Sequence, residues 1–177
     1  MRFLLDAIGS ALALLSRVGL AIAPPLLRVA LAVPFLKSGL TKWDGFLDVS
    51  PTAAYLFESE FKLHIFGAAY AMPFPDILAT ADAIAEIALP VLLILGLATR
   101  FSAFGLLVMT GVIQLVVPEG WASFHLPWAA LAVSIIALGA GPLSLDHLIG
   151  RMFAQERPRL PHRDPALASR LRTHDRT

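Results

Sequence analysis

The chain has 177 residues, of which 57% are hydrophobic and only 15% charged, and its formal net charge is +1. Soluble domains carry about 25% charged residues, so this composition indicates an integral membrane protein and gives no sign of nucleic-acid binding. The absence of cysteine excludes disulfides, thiolate metal sites, cysteine nucleophiles and thiol redox chemistry in this chain.

The first segment, residues 1–23, is predicted to form an interfacial amphipathic helix. Asp6, Ser10 and Arg17 fall near one helical stripe, and leucines occupy the opposite side, as in a helix lying along the membrane surface. A secretory signal peptide is the alternative, because the segment begins with a basic residue, is apolar and ends in small residues. The interruptions of the apolar run favour the interfacial helix.

The first spanning helix is predicted over about residues 24–43, with Pro24 at its start, where a missing amide donor is tolerated. Pro34 interrupts the interior of this span. Arg28 near the start is expected to reach the headgroups by snorkelling. Lys37, deeper in the span, requires a partner or a wet cavity.

The connection over residues 44–74 is too polar to span a membrane and unusually aromatic. We expect it to pack on the bundle. Ser50 and Pro51 predict the start of a short helix, and the alternation of apolar and polar residues over 57–65 predicts a short extended segment.

Three more apolar segments are close to the length of about 20 residues that a bilayer requires, over about residues 76–97, 101–118 and 126–142. The sequence therefore predicts an all-α integral membrane four-helix bundle over residues 24–148. Residues 149–177 are predicted to be a basic, poorly ordered tail. Basic residues flank the predicted cytoplasmic ends, so the positive-inside rule predicts that both termini are cytoplasmic.

Two carboxylates in the second span, Asp82 and Glu86, are the most informative residues of the chain. An acidic side chain at the centre of a spanning helix is unfavourable by roughly 2.5–3.5 kcal/mol and is by default a functional or ion-paired residue. At about 1.5 Å per residue, Lys37 and Asp82 lie at a similar depth. The predicted pocket for a ligand or proton consists of Lys37, Asp82, Glu86, Gln114 and His125. The structural alternative is a Lys37–Asp82 ion pair, with Gln114 and His125 bonding neighbouring helices.

Other kinds of site are disfavoured. The histidines lack the close spacing of metal ligands, so no metal site is predicted, and no nucleophile elbow, Walker loop or dinucleotide fingerprint occurs. The pairs Ala79/Ala83 and Ala81/Ala85 have small-xxx-small spacing, which allows close helix contact either within the chain or in a homo-oligomer.

The stretches LLRVALAVPFLKSGLTKWDGF and AEIALPVLLILGLATRFSAFGLLVM resemble the DoxX family of small four-helix bacterial membrane proteins. The motif residues are Arg28, Ser38, Gly39 and Lys42, followed by the segment from Glu86 to Arg100. The resemblance implies a multi-pass protein of the bacterial inner membrane that is associated with redox systems. Relatives include a membrane subunit of thiosulfate:quinone oxidoreductase and membrane partners of soluble oxidative-stress enzymes.

Three hypotheses for function follow. The first is an accessory membrane subunit of a redox or stress-response system, whose pocket binds a quinone or a small polar ligand and whose Glu86 exchanges a proton. The second is a small carrier of protons or solutes, and the third is an anchor for a soluble partner. Quinone is the one cofactor that these hypotheses suggest, and a lipid bilayer is the one partner that the composition requires.

Overall fold

The computed structural model describes residues 2–155 and contains, within that range, six α-helices and two short antiparallel hairpins. The helices are α1 (Arg2–Leu40), α2 (Pro51–Tyr55), α3 (Pro75–Leu95), α4 (Thr99–Val116), α5 (Leu126–Leu138) and α6 (Leu145–Gln155). The strands are β1 (Trp43–Gly45) paired with β2 (Asp48–Val49), and β3 (Lys62–Ile65) paired with β4 (Ala68–Ala71).

Among the described residues, four helical segments are long and apolar enough to cross a membrane, which confirms the predicted all-α membrane fold. They are Ile8–Leu40, Pro75–Leu95, Thr99–Val116 and Pro118–Leu138. The last segment combines α5 with a 3₁₀ turn (Pro118–Gly120) and a π-helical turn (Trp121–His125).

Helix α1 runs without interruption through the prolines at which the sequence placed the start of the first span. Pro24 is buried beside Gly141, which has a φ of +75° and no room for a Cβ atom. At 1.5 Å per residue, a helix of this length measures about 58 Å, roughly twice the hydrocarbon thickness. The interfacial orientation of residues 1–23 stays a prediction.

The core of the bundle is formed by one face of each spanning helix. Its fully buried apolar residues are Leu31, Ala32, Phe35, Leu93, Ala103, Leu106, Ala132 and Ile135. The opposite faces carry exposed leucine, isoleucine, valine and phenylalanine, as expected for helices whose outer surface meets lipid. Ala79 and Ala83 are buried in α3, so this pair of small residues serves contacts within the chain.

The aromatic connection between α1 and α3 packs on one end of the bundle, as expected. Ser50 caps α2 by accepting a hydrogen bond from the Ala53 amide at 3.2 Å. The predicted extended segment is shorter than the alternation indicated, because Leu56–Glu60 forms a π-helical turn and β3 begins at Lys62. His64 Nδ1 lies 3.1 Å from the Leu115 carbonyl oxygen, which fastens the second hairpin to α4.

At the other end of the bundle, Arg28 is 2% exposed, so the expectation that it snorkels to the headgroups was wrong. Its Nη2 donates to the Leu143 carbonyl oxygen at 2.5 Å. The guanidinium lies against Gly96, where an added Cβ atom would collide with Nη1. Gly96 also has a φ of +70°, a conformation that favours glycine. Arg28 is thus enclosed by the α3–α4 turn and the chain before α6.

Residues 149–155, which the sequence assigned to the basic tail, belong to α6. Asp146 in the first turn of α6 accepts hydrogen bonds from the amides of Ala98 and Thr99 at 2.8 and 2.9 Å. Its own amide donates to the Gly96 carbonyl at 2.9 Å. The carboxylate therefore satisfies free amides at the start of α4. The remainder of the predicted tail, residues 156–177, lies outside the described residues.

The pKa of Asp146 lies below its ordinary value. Burial raises the pKa of this carboxyl, but the hydrogen bonds from Thr99 and Ala98 and the positive charge of Arg28 together outweigh burial. A lowered pKa in the folded state contributes stability above the unfolded-state pKa of about 3.9. That contribution is lost as the pH falls through the lower, folded-state pKa.

We predict that Asp146→Asn destabilises the protein at neutral pH and removes this part of its acid sensitivity. The asparagine keeps an acceptor but loses the charge that strengthens bonds to helix amides. Thermal unfolding should be measured between about pH 7 and pH 3, with the exposed Asp44→Asn as control. If both variants show the same stability and pH profile as the parent, the assigned role of Asp146 is wrong.

Candidate functional site

Three charged side chains meet where α1 ends against α3. The ammonium group of Lys42 forms a salt bridge with Asp82 and lies 2.7 Å from Glu86 Oε2. The Lys42 side chain is 16% exposed, that of Asp82 22% and that of Glu86 5%. Phe57 from the connection between α1 and α3 covers the lysine, with its ring centroid 5.9 Å from Nζ. We call Lys42, Asp82 and Glu86 the ion cluster.

Local structure at the end of α1 places Lys42 in the ion cluster. The amide of Lys42 donates to the Gly39 carbonyl at 3.1 Å, which continues the turn beyond Leu40. The Lys42 carbonyl accepts from the Ser50 amide at 2.9 Å, which ties the turn to the start of α2. Asp82 and Glu86, four residues apart, lie on one face of α3, so one lysine can reach both carboxylates.

Gly39 allows α1 and α3 to approach closely at the ion cluster. A Cβ atom at this position would lie 2.8 Å from Glu86 Cβ and 2.9 Å from the backbone carbonyl carbon and oxygen of Glu86. Only a residue without a side chain fits there unless the backbones move apart. Ser38, next to Gly39, is a further neighbour of Glu86 from α1. Three of the four motif residues that carried the family resemblance therefore surround Glu86, whereas Arg28 lies at the opposite end.

Lys37 lies outside the ion cluster, which corrects the expected pairing of Lys37 with Asp82. Lys37 is exposed on α1, and Gly39 faces Glu86. Two residues correspond to about 200° of rotation around a helix, so Lys37 points away from α3. The position of a residue in the sequence indicates its depth along the helix axis but not the direction in which its side chain points.

Two cavities adjoin the ion cluster, and Asp82 lines both. The smaller has a volume of about 100 Å³ and is also lined by Glu86, with walls from Phe57, Phe61, Met72 and the end of α4. The larger has a volume of about 230 Å³ and lies between α3 and α4. Phe57 and Met72 line both cavities. No pattern in the sequence indicates that these two loop residues cover the carboxylates.

Gln114 and His125 form a second polar pair. The Gln114 amide nitrogen donates to the Pro118 carbonyl at 3.1 Å, which turns its oxygen towards His125 Nδ1 at 2.6 Å. His125 is buried and packs against Trp128, with ring centroids 5.6 Å apart. Within the described part of the chain, no hydrogen bond or ion pair joins Gln114 or His125 to the ion cluster.

Comparison with known proteins identifies relatives of this chain. The DoxX family model matches residues 23–119. An uncharacterized protein of Haemophilus influenzae is 29% identical over 157 residues, covering 77% of this chain and 89% of that protein. No solved structure matches. The matched region contains the ion cluster, both adjoining cavities and the loop that covers them.

We predict that Gly39→Ala destabilises the bundle by about 1–3 kcal/mol, the range for overpacking a tightly packed site. The added methyl group would collide with the backbone of Glu86 and separate α1 from α3. Gly111→Ala is the matched control, because a Cβ atom there meets nothing within 4 Å and alanine favours helix. The free energy of unfolding in detergent micelles measures both changes. Equal effects of the two substitutions would contradict the close approach at Gly39.

Proposed function

The chain belongs to the DoxX family, and we propose that it is an accessory membrane subunit of a redox or stress-response system that binds a quinone beside the ion cluster. The observation that carries this proposal is the position of Asp82. The same carboxylate forms a salt bridge with Lys42 and lines two adjoining cavities. A titratable cluster beside an apolar cleft suits an amphiphile with a polar, proton-accepting head.

The size of the cleft fits the ring of a quinone. An apolar cavity of about 150 Å³ holds a benzene molecule, and the larger cavity beside Asp82 has a volume of about 230 Å³. Its walls are almost entirely apolar, and Asp82 is the charged residue among them that a bound head would meet. These properties favour a substituted aromatic or quinonoid ring over a small, strongly hydrated solute.

The position of the larger cavity supports entry from the lipid. Val108 and Val112 line this cavity and are 51% and 46% exposed on α4, so the cavity reaches the outer surface of the α3–α4 pair. Phe57 and Met72 cover its other side. A ligand dissolved in the membrane would reach Asp82 from between these helices without crossing the loop.

The ion cluster supplies hydrogen bonding and proton exchange. Lys42 would donate a hydrogen bond to an acceptor oxygen of the ligand. With both carboxyl groups ionised, the cluster would have a net charge of −1, and burial of a net charge is unfavourable. Uptake of a proton by one carboxyl removes that charge. Glu86, the less exposed of the two, is the group we assign to proton exchange.

A quinone takes up two electrons and two protons when it is reduced to a quinol, and the quinone itself provides this redox chemistry. We assign the supply of electrons to a partner protein and the exchange of protons to Glu86. This division makes the chain an accessory subunit. The proposal also places the protein in the bacterial inner membrane with both termini in the cytoplasm, in keeping with its flanking basic residues.

A second candidate function, a membrane anchor for a soluble partner, is favoured by exposed aromatic residues in the connection between α1 and α3. Phe46 is 96% exposed, Phe66 is fully exposed and Phe74 is 75% exposed. Phe66 and Phe74 also have positive φ angles of 50° and 46°, which are uncommon for bulky residues. Exposed aromatic side chains held in this way are typical of an interaction surface.

We predict saturable quenching of tryptophan fluorescence when ubiquinone or menaquinone analogues are titrated into the protein in lipid nanodiscs. Trp43 adjoins Lys42 in the chain and is the expected reporter. Glu86→Gln and Lys42→Met should weaken binding at least tenfold, which corresponds to about 1.4 kcal/mol. Lys37→Met and Glu58→Gln are the matched controls and should bind like the parent, because both residues are exposed.

Unchanged quenching in a folded Glu86→Gln protein would contradict the proposed site. The absence of saturable quenching in the parent would contradict quinone binding and favour the anchor. Loss of binding in Lys37→Met but not in Lys42→Met would contradict the ion cluster and support the pocket with Lys37 that the sequence predicts. Thermal unfolding of each variant should be recorded alongside, so that loss of fold is distinguished from loss of binding.

A further inference from the structure

Helix α6 carries a continuous apolar stripe that no other described element covers. Large apolar residues occur at spacings of three and four, the pattern of one helix face. They are Leu145, Leu148, Ile149, Met152 and Phe153, which are 37%, 55%, 39%, 61% and 67% exposed. His147, Arg151 and Ala154 lie on the other side of the helix. Residues 149–155 of this helix were predicted to belong to the basic tail, and the stripe was not predicted.

The start of α6 is fixed at the end of the membrane-spanning helices. Asp146 accepts hydrogen bonds from the first amides of α4 and donates its own amide to Gly96, at the end of α3. The spanning segment Pro75–Leu95 ends at this turn, and the spanning segment Thr99–Val116 begins there. The membrane surface on this side of the bundle therefore lies at the level where α6 begins.

The lipid bilayer is the surface best placed to cover the apolar stripe of α6, because the spanning helices already require a bilayer. The four apolar spans among residues 2–155 require a bilayer, and the apolar stripe of α6 starts at the edge of that bilayer. Arg151 lies on the polar side of α6, and the sequence that follows contains six arginines against three carboxylates. A basic segment next to an apolar helix face is suited to anionic lipid headgroups.

We infer that α6 is a membrane-surface helix that inserts its apolar stripe into the leaflet on the Asp146 side. Asp146 fixes the first turn of α6 to the bundle, and the stripe holds the rest of the helix against the lipid. The helix would thereby protect the Asp146 hydrogen bonds and the buried Arg28 guanidinium from water. This inference concerns the opposite end of the bundle from the ion cluster and is independent of quinone binding.

The absence of cysteine makes a labelling test direct. Met152→Cys on the stripe and Ala154→Cys on the opposite side are each labelled with an environment-sensitive fluorophore in the full chain. Both residues are exposed, so neither label should disturb packing. The labelled proteins are placed in nanodiscs of phosphatidylcholine and phosphatidylglycerol, and quenching by lipid-attached nitroxide is compared with quenching by aqueous iodide.

We expect the label at position 152 to be quenched several-fold more by the lipid nitroxide than the label at 154, and iodide to show the reverse order. Equal access of iodide to both labels would show that α6 lies in water and would overturn the inference. Protection of position 152 from both quenchers, together with energy transfer between labelled copies, would show a protein interface and would also overturn it.

Discussion

The salt bridges between Lys42 and the two carboxylates of α3 are the interaction on which the rest of the site depends. Charged groups at this depth are stable only where opposite charges meet, so α1 and α3 must come into contact at this level. Gly39 makes that contact sterically feasible, and Phe57 from the connection between α1 and α3 covers the lysine. The same contact leaves Asp82 facing the cleft between α3 and α4, where a ligand can meet a titratable group.

Polar contacts fasten both ends of the bundle. Lipid tails remove much of the hydrophobic drive that brings helices together in water, so packing and hydrogen bonds decide the arrangement. At one end, Lys42 joins the chain after α1 to α3. At the other, Arg28 binds the Leu143 carbonyl and Asp146 holds the first amides of α4. Between them lies an apolar core with small residues at the closest contacts. A rigid frame of this kind can hold a proton-exchanging carboxyl in a fixed position beside a cleft.

The spanning helices could be predicted from sequence because length and apolar composition determine them, and the unfavourable burial of charge drew attention to Asp82 and Glu86. Their partner could not be predicted in the same way, since depth along a helix is readable from sequence but rotation is not. Lys42 was visible only as part of a family motif. Arg28 was expected at the headgroups because it lies near the start of the predicted span, whereas its partners, Leu143 and Asp146, are more than 100 residues away in the chain. Contacts of that separation arise from tertiary packing, which a single sequence does not reveal.

A double-mutant cycle between Lys42→Met and Glu86→Gln tests the central claim most directly, through the free energy of reversible unfolding in mixed micelles. Residues in direct ionic contact should show a coupling energy of about 1–3 kcal/mol. The cycle between Lys37→Met and Glu86→Gln should be additive within about 0.5 kcal/mol, because these side chains face different surroundings. Additivity in the Lys42 cycle, or strong coupling in the Lys37 cycle, would contradict the ion cluster and the ligand site built on it.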